Sequence, residues 1–151
     1  MFVLTFQYSS WFKATPKDVF AFHERADALE LLRPPGQRME VLSHEGGLRL
    51  GAKVVLKVYF GPFPVTWVAM HTEFEKDRLF VDVQKSGPFD FWRHRHEFNL
   101  EKGGCRLTDS ILYALPGGYL AELLFGWVTR LRLRSMFRHR HRVTRRYVEQ
   151  G

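Results

Sequence analysis

Trp92, His94, His96 and Phe98 alternate along one stretch of chain, with Phe91, Arg93, Arg95, Glu97 and Asn99 between and around them. In an extended strand alternate side chains share a face. The charges of the second set mark it as the solvent face, so the two imidazoles and two aromatic rings point inward. If Lys102-Gly103 form the turn to the next strand, Glu101 lies opposite Gly104. Counting back sets Phe98 against Leu107, His96 against Asp109, His94 against Ile111 and Trp92 against Tyr113. Side chains directly opposite on one face sit about 5 Å apart at Cβ, within reach of an imidazole–carboxylate hydrogen bond. Further upstream, His71 and Glu73 share a face with Trp67 and Ala69. A ladder without bulges brings Asp82 near His71 and His94, and turns Val81 and Val83 outward.

Three chemistries fit this face. A His-x-His pair on a strand spaces two ligands by about 6.6–7 Å at Cα, and a third from His71, Asp82 or Asp109 would complete a metal site. A lone pair of this kind is a weak signal, and neither a metal nor another cofactor is expected. Alternatively, Asp109 orients His96, which moves a proton on a bound carbonyl or hydroxyl compound. In the third reading the His96–Asp109 pair satisfies itself and serves as a polar anchor in an otherwise apolar interior.

The elements that must carry these residues are legible in the periodicity. Residues 2–11 read as a strand. Thr15 caps a helix whose first position is Pro16 and whose first turn holds Asp18. A second short helix spans Ala26–Leu32 and stops at Pro34-Pro35-Gly36. Strands follow near 38–44, 52–60, 63–74, 79–85, 91–100 and 105–114, separated by Gly- and Pro-bearing turns. Short connections between consecutive strands make an antiparallel meander. A long helix then runs from about Tyr119 to Tyr147. The predicted fold is α+β: a curved, seven-stranded antiparallel sheet wrapped around a long C-terminal helix, with two short helices between the first two strands, in a single domain over 1–151. A sheet gripping one helix leaves a gap between them, a natural place for a ligand.

Composition agrees. The chain has 151 residues, 45% of them hydrophobic and 15% aromatic, enough for one buried core and a ring-lined interior. The single cysteine, Cys105, excludes an internal disulfide and a multi-thiolate zinc site. No apolar run reaches the ~18 residues of a membrane span. The N-terminus lacks a basic segment ahead of its apolar run and a small-residue cleavage site, so a cytoplasmic location is expected. Lys102-Gly103-Gly104 lacks the spacing of a phosphate loop.

The element order, together with SSWFKATPKDVFAFHERADALELL near the start, resembles the helix-grip SRPBCC superfamily, which includes START lipid-transfer domains, the birch-pollen-allergen group and aromatic polyketide cyclases. GPFDFWRHRHEF, GGCRLTDSILYALPGG and MFRHRHRVTRR resemble small bacterial members of unassigned role. The resemblance covers essentially the whole chain. It implies a cavity for something apolar; the superfamily has no universal catalytic motif, so no particular reaction follows.

On that basis the favoured function is binding, and possible transport, of a hydrophobic or amphipathic small molecule. Trp67, Trp92, Phe98, Tyr113 and Trp127 would be apolar walls; His71, Asp82, His94, His96 and Asp109 would be polar anchors. The enzyme alternative is a cyclase- or dehydratase-like proton transfer with His96 and Asp109 as catalytic pair.

The net charge of +7 opens a third reading. Residues 117–151 hold eight Arg against Glu122 and Glu149, a balance of +6; the rest of the chain holds only +1. An Arg-rich helix suits an anionic membrane surface or an acidic partner. The absence of a recognition motif and of a basic patch in the strands argues against nucleic acid. A second copy of the chain is a further candidate partner. At 100° per residue Leu120, Leu123, Leu124, Trp127, Val128 and Leu131 form one stripe, expected to cover the sheet. Leu133, Met136, Phe137, Val143 and Tyr147 fall on the other side, so the helix is expected to bend near Arg132–Ser135 or to run past the sheet edge. A further alternative is that one Arg, Arg134 or Arg138, turns inward and pairs with Asp82 or Asp109.

Overall fold

The computed structural model describes residues 1–149. Strand β1 (Leu4–Phe12) is followed by α1 (Pro16–Glu24) and α2 (Ala28–Leu32). Strands β2 (Met39–Glu45), β3 (Lys53–Phe60), β4 (Phe63–Glu75), β5 (Leu79–Ser86), β6 (Phe91–Glu101) and β7 (Gly104–Ala114) lead to α3 (Gly118–Val148). The strands form one antiparallel sheet in the order β1-β7-β6-β5-β4-β3-β2. β1 therefore closes onto β7, and the two short helices carry the chain across the cup to its other edge. This is the helix-grip architecture. Among the described residues no helix is long and apolar enough to cross a membrane.

Local chemistry sets the ends. Thr15 Oγ1 accepts the Asp18 amide at 3.1 Å, and Pro16 occupies the first turn of α1. The β6–β7 turn is two residues long, and both Lys102 and Gly103 take positive φ, the twist a tight hairpin requires. That turn sets the register, in which His96 faces Asp109 and Trp92 faces Tyr113.

The core has two parts. Under α1, Val19 and Phe20 pack with Phe12, Phe80, Phe98, Cys105 and Leu107. Phe20 meets Phe98 at 5.0 Å and Phe80 at 5.9 Å, edge to face in both cases. Under α3, Leu133 and Phe137 pack with Phe6, Trp92, Ile111 and Tyr113, with Trp67 and Phe89 at the margin.

Two expectations about α3 are overturned. It is one 31-residue helix, and a single inward stripe runs through Glu122, Gly126, Leu133, Phe137, His141 and Thr144, so no bend is needed. The leucine stripe that was to cover the sheet faces away from it: Trp127 is 65% exposed and Leu120, Leu123, Leu124 and Leu131 are similarly open. The second apolar set wins because it alone is in phase with His141 and Thr144, whose burial the sheet demands.

Among the glycines, Gly104 sits tightest against a neighbouring backbone. A Cβ there would meet the Phe12 carbonyl oxygen and the Trp11 ring inside van der Waals distance. Gly104→Ala should lower stability by about 1–3 kcal/mol, measured by denaturant unfolding; an unchanged midpoint would contradict this packing.

Candidate functional site

Two cross-strand rows place the polar residues. His71, Asp82, His94 and Ile111 stand opposite one another across β4, β5, β6 and β7; Phe80, His96, Asp109 and Tyr8 do the same across β5, β6, β7 and β1. A register shift between His71 and Glu73 makes this compatible with a solvated outer face. It carries Glu73 from the inner side, where strict alternation puts it, to the outside. There Glu73 pairs with Arg93 at 2.7 Å. Val81 does point outward, yet it is fully buried, because it lies between Glu73 and Arg95 in a lattice of outer-face ion pairs.

The side chains converge on two carboxylates. Asp109 Oδ1 accepts from His94 Nε2 at 2.8 Å, and Oδ2 accepts from His141 Nε2 at 2.6 Å. His141 Nδ1 shares a 2.7 Å hydrogen bond with Ser10 Oγ. His96 Nε2 donates to Asp82 Oδ2 at 3.0 Å. His96 Nδ1 lies 3.0 Å from Asp109 Oδ1, but off the hydrogen-bonding direction, so it has no bonded partner. The expected His96–Asp109 pair is thus a close electrostatic contact, while Asp109 bonds to His94 and His141 and His96 bonds to Asp82. His71 Nδ1 donates to the Leu48 carbonyl at 2.9 Å.

Burial penalises the charge on both carboxylates, but their imidazole partners outweigh it: Asp82 is held below, and Asp109 well below, the usual carboxylate range. Burial likewise works against a proton on His96, and the flanking Asp109 and Asp82 overcome it, raising its pKa. His94 stacks on His96 at 3.6 Å; burial and that neighbour lower its pKa. His71 is lowered chiefly by burial, and His23, packed against Phe98, is pushed down to about 4 by burial. Arg140, whose buried Nε has no partner, brings a fixed cation toward Asp109 and Asp82. The inward arginine is Arg140; Arg134 and Arg138 remain exposed.

Asp82, His94 and His96 each offer an atom within 4.8 Å of the others, the set among the described residues that could hold a metal ion. As arranged, Asp82 already holds the His96 proton.

Between these groups lies a void of about 20 Å³, lined by His23, His96, Asp109, Arg140 and His141 among others. It has room for about one water. At the polar cluster, then, the space between sheet and helix is far smaller than the open chamber expected there. Phe98 is sealed beneath α1; Trp67 meets Trp92 edge to face at 5.1 Å; Tyr113 is buried with its hydroxyl unpartnered. Trp127 takes no part in these walls.

The sequence over residues 12–137 matches the family model described as polyketide cyclase / dehydrase and lipid transport. The chain belongs to this family. Both ligand classes in that description are hydrophobic, in keeping with hydrophobic ligand binding in general. A nucleoside-diphosphate sugar epimerase from Corynebacterium glutamicum is 25% identical, with a TM-score of 0.67 over 93% of this chain but only 28% of its own. The di-domain ARO/CYC StfQ of the steffimycin biosynthetic pathway is similar with a TM-score of 0.74 at 12% identity, over 98% of this chain and 52% of its own. Norcoclaurine synthase from Thalictrum flavum, in complex with dopamine and hydroxybenzaldehyde, reaches 0.68 at 14% identity, over 99% and 88%. These two show the shared fold. Comparison with the curated proteins gives no match.

Reading from the strands alone missed His141, Ser10, His23 and Arg140. His141 lies in the Arg-His-Arg-His-Arg run, whose charge reads as a solvated face. The usable signal was its phase, four residues beyond Phe137.

Two outcomes test this cluster. His23, His71 and His94 take up protons in the unfolded chain below about pH 6.5 but resist them when folded, His23 down to about 4. Stability should therefore fall as pH drops through that window. His96 works in the opposite sense: its contribution is present below its unfolded pKa and is lost as pH rises through the raised folded one. With three groups against one, the melting temperature should decline on acidification from pH 7, and His23→Phe should flatten the decline; a flat profile in the parent chain would refute the assignment. Asp109→Asn removes the charge that holds His94, His96 and His141 in place, and should destabilise by about 3 kcal/mol or more in urea unfolding.

Proposed function

We propose that the chain binds an amphipathic small molecule between the sheet and α3. Its ring-bearing part would lie against Trp67, Trp92 and Tyr113, and its polar end would reach toward His96, Asp109 and Arg140. One observation carries this reading. Tyr113 Oη and His96 Nδ1 on the sheet and Arg140 Nε on α3 are all buried without a hydrogen-bond partner. A buried unsatisfied polar group costs about 1–3 kcal/mol, and three along one seam are what a guest with polar groups would satisfy. Entry requires α3 to lift from the sheet, since the present void holds no more than about one water. Dopamine and hydroxybenzaldehyde, bound by norcoclaurine synthase from Thalictrum flavum, are of the aromatic, polar-ended kind this seam suits.

A second reading, cyclase- or dehydratase-like proton transfer, rests on a separate feature. His94 and His96 are stacked, yet their environments push their proton affinities apart. That separation is how paired acid and base roles are assigned. His96 would be the acid, with Asp82 and Asp109 as its orienting carboxylates.

Native mass spectrometry of protein purified from its host should reveal a bound small molecule. With 8-anilinonaphthalene-1-sulfonate as probe, Trp92→Ala should weaken binding by roughly tenfold or more, since it removes a buried ring from the wall. His96→Gln should weaken it less. Tyr113→Phe, by deleting an unsatisfied hydroxyl, should stabilise the free protein by about 1 kcal/mol and weaken binding of a hydroxyl-seeking ligand. A destabilised Tyr113→Phe protein, or probe binding indifferent to Trp92→Ala, would overturn the reading. If the His96→Gln protein binds a turned-over compound normally but no longer converts it, the enzyme reading holds instead.

A further inference from the structure

The upstream half of α3 breaks the rule that an amphipathic helix turns its apolar face inward. Leu120, Leu123, Leu124, Trp127 and Leu131 are 56–65% exposed, and Tyr119 and Phe125 beside them are as open. Its inward positions are taken by Glu122, largely shielded, and Gly126. A contiguous apolar patch of this size on a soluble face marks a binding surface.

A second group lies at the same end of the sheet. The strand registers put the β3–β4 turn, the start of β1 and the end of β7 together there. The turn presents Phe63, 71% exposed, and Phe60. Phe2 meets Tyr119 edge to face at 5.3 Å, joining the chain's N-terminal segment to the helix start.

The outer stripe then changes character without leaving its line. At 100° per residue, the direction of Leu120, Leu124, Trp127 and Leu131 continues through Arg134, Arg138 and Arg142, all exposed. The only acids from 117 onward are Glu122, turned inward, and Glu149, held by Arg145 at 2.7 Å. An apolar half-helix with aromatic neighbours, followed by a row of guanidinium groups without an acidic partner among the described residues, matches the layering of an acyl boundary and anionic headgroups.

We propose that this face docks the protein on an anionic lipid bilayer, with Leu120–Leu131 and Phe63 entering the interface and Arg134, Arg138 and Arg142 on lipid phosphates. Charge complementarity selects this occupant. The segment 117–151 carries +6; an anionic surface attracts it, whereas a second copy brings the same arginines and repels it. The inference stands independently of what the sheet–helix seam binds.

Sedimentation of the full chain with unilamellar vesicles tests it, using phosphatidylcholine alone and phosphatidylcholine mixed with phosphatidylglycerol. The protein should pellet with the mixed vesicles and not with the neutral ones, and should be released by high salt. Tryptophan emission should shift to the blue on binding, and the shift should shrink in Trp127→Phe. Leu124→Asp should weaken binding by roughly tenfold or more, as should joint replacement of Arg134, Arg138 and Arg142 by Ala. All these positions are exposed, so the variants keep the fold, checked by an unchanged melting temperature. No binding to anionic vesicles, or binding indifferent to Leu124→Asp, overturns the proposal. So does a stable dimer in sedimentation equilibrium that Leu124→Asp splits, which would make the patch a subunit interface.

Discussion

Two carboxylates buried on the concave side of a β-sheet govern this structure. An isolated buried anion is prohibitively costly, so Asp82 and Asp109 require donors, and the sheet alone supplies only His94 and His96. The rest must come from the helix. His141 reaches down to Asp109 and is itself held by Ser10 of β1, and Arg140 adds a guanidinium near both carboxylates. The contact of α3 with the sheet is therefore an electrostatic clasp surrounded by rings, with Phe137 and Leu133 packed beside it.

That clasp divides the helix. Its downstream half is committed, because His141 and Thr144 must face inward and fix the rotation of the rod. A rigid helix then has no freedom upstream: the side in phase with His141 carries Glu122 and Gly126, and the leucines are left outside. The exposed apolar face is thus a consequence of burying the histidine. The same division leaves the upstream half without a polar clasp of its own, the buried Tyr113 hydroxyl beside it lacking a hydrogen-bond partner.

The strands were legible because their signals are local. The alternation over 91–100, the two-residue turn at Lys102-Gly103 and the charges on one side jointly specify which residue faces which, and the β6–β7 register follows by counting. Asp82 was harder. Its place depends on a register shift after His71 and on an ion-pair lattice that hides Val81 from water, neither of which leaves a periodic trace. The leucine stripe misled because apolar periodicity reports that a helix has an apolar side, without saying against what that side rests.

Read alone, then, the sequence determined the element order, the antiparallel register at the histidine strand and the inward direction of its imidazoles, since each rests on neighbours within a turn or a hairpin. Which carboxylate bonds to which histidine, that Arg140 rather than Arg134 or Arg138 turns inward, that the void at the polar cluster has room for about one water, and which side of α3 meets solvent emerge only once the chain is packed. Those outcomes depend on the rotation of one long helix against a curved sheet, and that rotation is set by charges far apart in the chain that must meet once they leave water.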